Sequence, residues 1–141
     1  MIEKVCVPLI HGQDAASVAA ANGLKKTRDG WVLLLEGVQR ISVFGPTVAN
    51  PTICTLTVNY DLDQTKPFLD ALGNWAAAQN PPLPPFQTAV DNGPGATGWS
   101  WYVDAGAFHK GVVFTAQKKP DGKPMGRTYE VATVRFSLKE S

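Results

Sequence analysis

The chain has 141 residues, of which 18% are charged, and a net charge of +1 at pH 7. That length supports one core of ordinary size, so a single domain over 1–141 is expected. So even a charge balance gives no long-range field for gathering nucleic acid or an anionic membrane, and no run reaches the roughly 18 apolar residues that span a bilayer.

In chain order, the first apolar stretch is Val5-Cys6-Val7-Pro8-Leu9-Ile10. Asp14 then caps a short alanine-rich helix, Ala15 to Asn22, with Gly23 just past its end. Asp29-Gly30 turns into a strand, Trp31 to Glu36, and Gly37 separates it from a second, Arg40 to Phe44, with which it forms a hairpin. The clearest strand is Thr52 to Tyr60, where Cys54, Leu56, Val58 and Tyr60 share one face while Thr55, Thr57 and Asn59 share the other. The clearest helix follows. Phe68, Leu69, Leu72, Trp75, Ala76 and Gln79 keep helical spacing behind a Thr65 cap and Pro67 in the first turn, with Gly73 the one weak position.

Prolines 81, 82, 84 and 85 stop that helix, and a Pro/Gly-rich loop is expected over residues 80–98. Three more strands complete the chain: Trp99 to Val103, Gly111 to Lys118 and Thr128 to Leu138. The last two are joined by the turn Pro120-Asp121-Gly122. The expected architecture is α+β, an antiparallel sheet of about five to six strands with two helices packed on one face as a two-layer sandwich.

Cys54 sits on the buried face of its strand and Cys6 in an apolar run, which reads as a structural clasp. A bridge closing so long a loop is worth about 4 kcal/mol in the chain-entropy model. The competing reading is two buried free thiols in a cytosolic protein. A bridge implies an oxidising compartment, hence a periplasmic or secreted protein whose export signal has been removed and whose Met1 need not be native. Free thiols imply the cytoplasm. No signal-peptide pattern stands at the N-terminus as given.

Motifs for chemistry are sparse. No Gly-x-Ser-x-Gly, His-Glu-x-x-His or phosphate-binding glycine pattern occurs, and neither cysteine has a second Cys or a His at ligand spacing, so no cofactor or metal is expected. His11 near Asp14, and His109 near Asp104, offer a base and an orienter only if a nucleophile stands close. Their ordinary reading is as loop and turn residues. Asp61, Asp63 and Gln64 lack the remaining oxygens of a calcium loop. Two basic groups, Lys25, Lys26 and Arg28 and then Lys118, Lys119, Lys123 and Arg127, read as solvated ends of elements. The binding candidate is aromatic: Trp99 and Trp101 share one side of a strand and Tyr102 takes the other. If the tryptophans face outward they make a stacking platform for a sugar, a flat ligand or a partner protein. The favoured reading puts them in the core against Trp75 and Phe68.

A cysteine ahead of a strand bearing a second cysteine, the helix from Thr65 to Gln79, and a terminal hairpin turning at Lys119-Pro120-Asp121-Gly122 together resemble small exported proteobacterial proteins of unknown function. The resemblance covers residues 6 to 80 and the last thirty or so, and implies an envelope location and a Cys6–Cys54 bridge. It brings no activity or catalytic residue. The resulting expectation is a non-catalytic exported module that binds an unknown protein or small ligand. The alternatives are a structural subunit of an envelope complex and a small hydrolase using His11 or His109.

Overall fold

A computed structural model describes residues 2–28, 30–35 and 38–140, without the side chains of 34, 35, 38 and 39. The expectations about Met1, the Asp29 half of the first turn, Glu36 and Gly37 lie outside that set. Eight antiparallel strands form one sheet: β1 Lys25–Thr27, β2 Gly30–Leu35, β3 Val38–Phe44, β4 Ile53–Asp61, β5 Pro85–Asp91, β6 Ala96–Ala105, β7 Phe108–Gln117 and β8 Tyr129–Lys139. Their spatial order is β1-β2-β3-β4-β8-β7-β6-β5, so the last strand of the chain lies inside the sheet. Three short helices accompany it: α1 Val7–Ile10, which continues a π-helical turn over Ile2–Cys6, α2 Ala15–Asn22 and α3 Thr65–Ala77.

The fold is α+β, but the expected count of five to six strands and two helices is wrong. Two strands were missed. β1 has only three residues, too few to show alternation. β5 lies within the stretch read as a loop: it begins at Pro85, shifts register between Pro85 and Gln87 and again between Gln87 and Val90, and holds Ala89 at φ +52°. Such a strand survives because it is an edge, where a missing donor and a broken ladder are tolerated. The missed helix is the N-terminal one, whose apolar run with Pro8 in its first turn is too short to separate from a strand by period.

The interior strands alternate. Cys54, Leu56, Val58 and Tyr60 of β4, Val112, Phe114 and Ala116 of β7, and Ala132, Val134, Phe136 and Leu138 of β8 are all buried. Register puts them on one face, since Leu56 lies opposite Val134 and Val134 opposite Phe114. All the helices cover that face. The N-terminal layer lies over β3 and β4, with Ile2, Val5, Val18 and Ala19 buried and a Cys6–Cys54 disulfide whose Cα atoms are 5.5 Å apart. α2 starts at an Asp14 carboxylate accepting from the Ser17 amide at 3.0 Å and ends at Gly23, whose φ of +72° suits glycine.

α3 lies over the other half and packs with rings. Phe68 is 5.5 Å from Tyr60 and 5.4 Å from Phe114 between centroids, and Trp75 meets Phe136 edge-on at 6.1 Å. The capping expectation needs revising, because Thr65 is the first helical residue and Gln64 is the cap position. The Thr65 hydroxyl instead joins a buried polar knot. It lies 2.8 Å from the Tyr60 hydroxyl and donates to Glu130 at 3.2 Å. Glu130, only 5% exposed, also accepts from the Asp63 amide and from Lys118 Nζ at 2.6 Å. The turn into α3 is thereby fastened to β8.

Candidate functional site

The two helical layers do not meet over the middle of the sheet. Between them lies a cleft of about 290 Å³, walled by Phe68, Leu72 and Trp75 of α3 on one side and Ile2 on the other. Its floor is Ile41, Leu56, Val58 and Val134. Among the described residues Glu3 is the one charged residue in the lining, and the indole N–H of Trp75 is buried with no acceptor. A concave site that is apolar with few polar groups is the usual form of a small-ligand pocket, at the small end of the range of roughly 300–1,000 Å³.

The opposite face carries no helix. β6 crosses it with Ser100 and Tyr102, while Trp99 and Trp101 point to the covered side. Register decides this: Trp99 lies opposite Phe114 and Trp101 opposite Val112, both core residues. The two tryptophans are half-buried against the core, with Trp99 edge-on to Phe114 at 5.9 Å. Trp99 and Trp101 thus share a side with Tyr102 on the other, as the alternation requires, and the tryptophans are on the covered side.

Tyr102 lies on the helix-free side. Its ring meets His109 edge-on at 4.7 Å and Phe86 of β5 at 5.8 Å. Its hydroxyl donates to Asp104 Oδ2 at 3.0 Å, and this bond to a carboxylate holds the phenol above its ordinary pKa. His109 Nε2 is 2.9 Å from Ser137 Oγ. The geometry is that of a base beside a hydroxyl nucleophile, a pair that no local sequence pattern signals because its members are 28 residues apart. Both are on interior strands, each paired with a neighbour on either side.

The remaining candidates are placed elsewhere. His11 Nε2 lies 2.9 Å from the Glu140 carboxylate at the surface. Asp14 caps α2, and Asp63 belongs to the turn held by Glu130. Lys118, one of the basic residues read as solvated, is the partner of Glu130. Among the described residues there is no group of three or more His, Cys, Asp or Glu placed to hold a metal ion, and no helix long and apolar enough to cross a membrane. Comparison of the chain with protein-family models, with curated proteins and with solved structures gives no match.

Proposed function

We propose that this chain is a non-catalytic binding module that takes a small, uncharged, apolar ligand in the cleft between its N-terminal layer and α3, and that it works in the periplasm or as a secreted protein. The cleft is the observation that carries the reading. A floor and walls of Ile, Leu, Val, Phe and Trp side chains gain from covering apolar surface, at about 25 cal/mol per Å² removed from water. The buried Trp75 indole N–H favours a ligand that also carries a hydrogen-bond acceptor. A cleft of this volume accommodates a compact molecule and not a whole helix of a partner protein. The location draws on the Cys6–Cys54 bridge, which is compatible with an oxidising compartment, and on the resemblance to small exported proteins.

Titration with the neutral apolar dye N-phenyl-1-naphthylamine tests the site. One saturable site is expected, and Ala71→Phe, which fills the cleft from its exposed rim, is expected to weaken it at least about tenfold, the scale of one blocked apolar contact region. Unsaturable uptake, or binding indifferent to Ala71→Phe, removes the reading. Thiol trapping in the native host tests the location separately: labelling of Cys6 and Cys54 without prior reduction would place the protein in a reducing compartment.

A further inference from the structure

The helix-free face holds a second concavity, of about 350 Å³, around Gly111. A methyl group built on Gly111 would lie 3.0 Å from the Tyr102 ring and 3.3 Å from the Trp101 carbonyl oxygen, so glycine is what lets this ring lie close over β7, beside Ser137 Oγ. Ser100 lies in the lining, 4% exposed, on the Tyr102 side of β6, and its hydroxyl has no hydrogen-bond partner among the described residues. A buried hydroxyl left unpaired is costly, and a ligand polar group is one way to relieve it. Phe86, by contrast, is 69% exposed although its ring is held beside Tyr102, which leaves a large apolar face in water.

We propose that this concavity is a binding site for a neutral polyhydroxylated ligand of the pyranose type, seated against Phe86 and Tyr102 with its hydroxyls on Ser100, Ser137 and His109. Charge sets the first limit on the ligand. Among the described residues no Asp, Glu, Lys or Arg lines the concavity, and the carboxylate at its margin, Asp104 on the Tyr102 hydroxyl, repels a phosphate or carboxylate. The polar groups set the second. Serine hydroxyls and the Gln87 amide each offer both donor and acceptor capacity, which suits a ligand that both gives and takes hydrogen bonds. The rings set the third. Phe86 and Tyr102 are in ring contact at 5.8 Å with their planes tilted by 47°, which leaves no parallel slot for a flat heterocycle, so a ligand ring lies against their outer surface. This site lies on the opposite side of the sheet from the apolar cleft and stands or falls independently of it.

The test is a ¹H–¹⁵N chemical-shift titration of the whole chain with D-glucose, D-galactose and N-acetyl-D-glucosamine, with adenosine as the flat comparator. At least one sugar is expected to give saturable shifts at the amides of Ser100, Tyr102, Gly111 and Val113 with a millimolar Kd. Phe86→Ala, at an exposed position, is expected to weaken that binding about fivefold, the scale of one aromatic contact. Ser100→Ala is expected to weaken it comparably. Should that buried change disturb the sheet, Phe86→Ala decides alone. Ala71→Phe, in the apolar cleft, is expected to leave the sugar response unaltered. The proposal is overturned if none of the sugars gives a saturable shift at these amides, if adenosine alone does, or if Phe86→Ala binds as the parent does.

Discussion

The N-terminal layer and α3 cover the same face of one sheet, yet they are held to it by different means. α2 is built from Ala15, Ala16, Ala19, Ala20 and Ala21, with Val18 its one bulky buried side chain. Alanine favours the helix but offers little apolar area to bury. The layer's attachment is supplemented by a covalent bond between Cys6 and Cys54, near the start of β4 on its buried face. α3 has no such bond. It is held by the rings of Phe68 and Trp75 on Tyr60, Phe114 and Phe136, and by the polar knot at its first turn. Cross-linking compensates where side chains are small, and large side chains make it unnecessary.

The disulfide is where that contrast is most exposed to test. Replacing Cys54 by Ala, where the bridge spans a sequence separation of 48, is expected to cost about 4 kcal/mol in the urea-unfolding free energy. Hydrogen exchange should show protection lost in α2 before α3. Equal loss in both would mean that the layers act as one unit. Phe68→Ala is expected to cost about 3 kcal/mol and to reverse the pattern, loosening α3 while α2 stays protected. The smallest effect belongs to the knot. Tyr60→Phe removes a hydrogen bond to Thr65 and is expected to cost about 1 kcal/mol.

Tyr60 also carries a pH signature. Burial raises its phenol above the ordinary value of 10.0, the Thr65 hydrogen bond works against this, and the Glu130 carboxylate adds to the rise. A raised folded value means that the fold favours the neutral phenol. Its contribution to stability is therefore complete below about pH 10 and is lost as pH rises through the higher folded value. Urea midpoints taken on the alkaline side should fall for the parent and fall less for Tyr60→Phe.

Much of the covered face was legible because its strands alternate. Cys54-x-Leu56-x-Val58-x-Tyr60 announces both a strand and the side its cysteine occupies, and the disulfide reading followed from it. Alternation is silent on absolute direction. Trp99 and Trp101 had to share a side, but only their pairing with Phe114 and Val112 says which side that is. The concavity at Gly111 was not legible at all. Ser100, His109 and Ser137 come from three strands, and it is the register of β6, β7 and β8 that brings them together. β5 escaped notice for the opposite reason, since Pro85 and the prolines just before it are local signals against a strand, overridden by pairing with β6.

The irregularity of β5 has a consequence beyond its own pairing. An open sheet eight strands wide ends in two edges, and each unpaired edge is a template on which another molecule can add a strand and start an aggregate. Here one edge is a three-residue strand carrying Lys25 and Lys26, and the other opens on a proline, breaks register twice and twists at Ala89. Neither offers a straight row of donors and acceptors long enough to seed a fibre. The sheet is thus broad without closing into a barrel, and its two outermost strands are poor templates for a regular added strand.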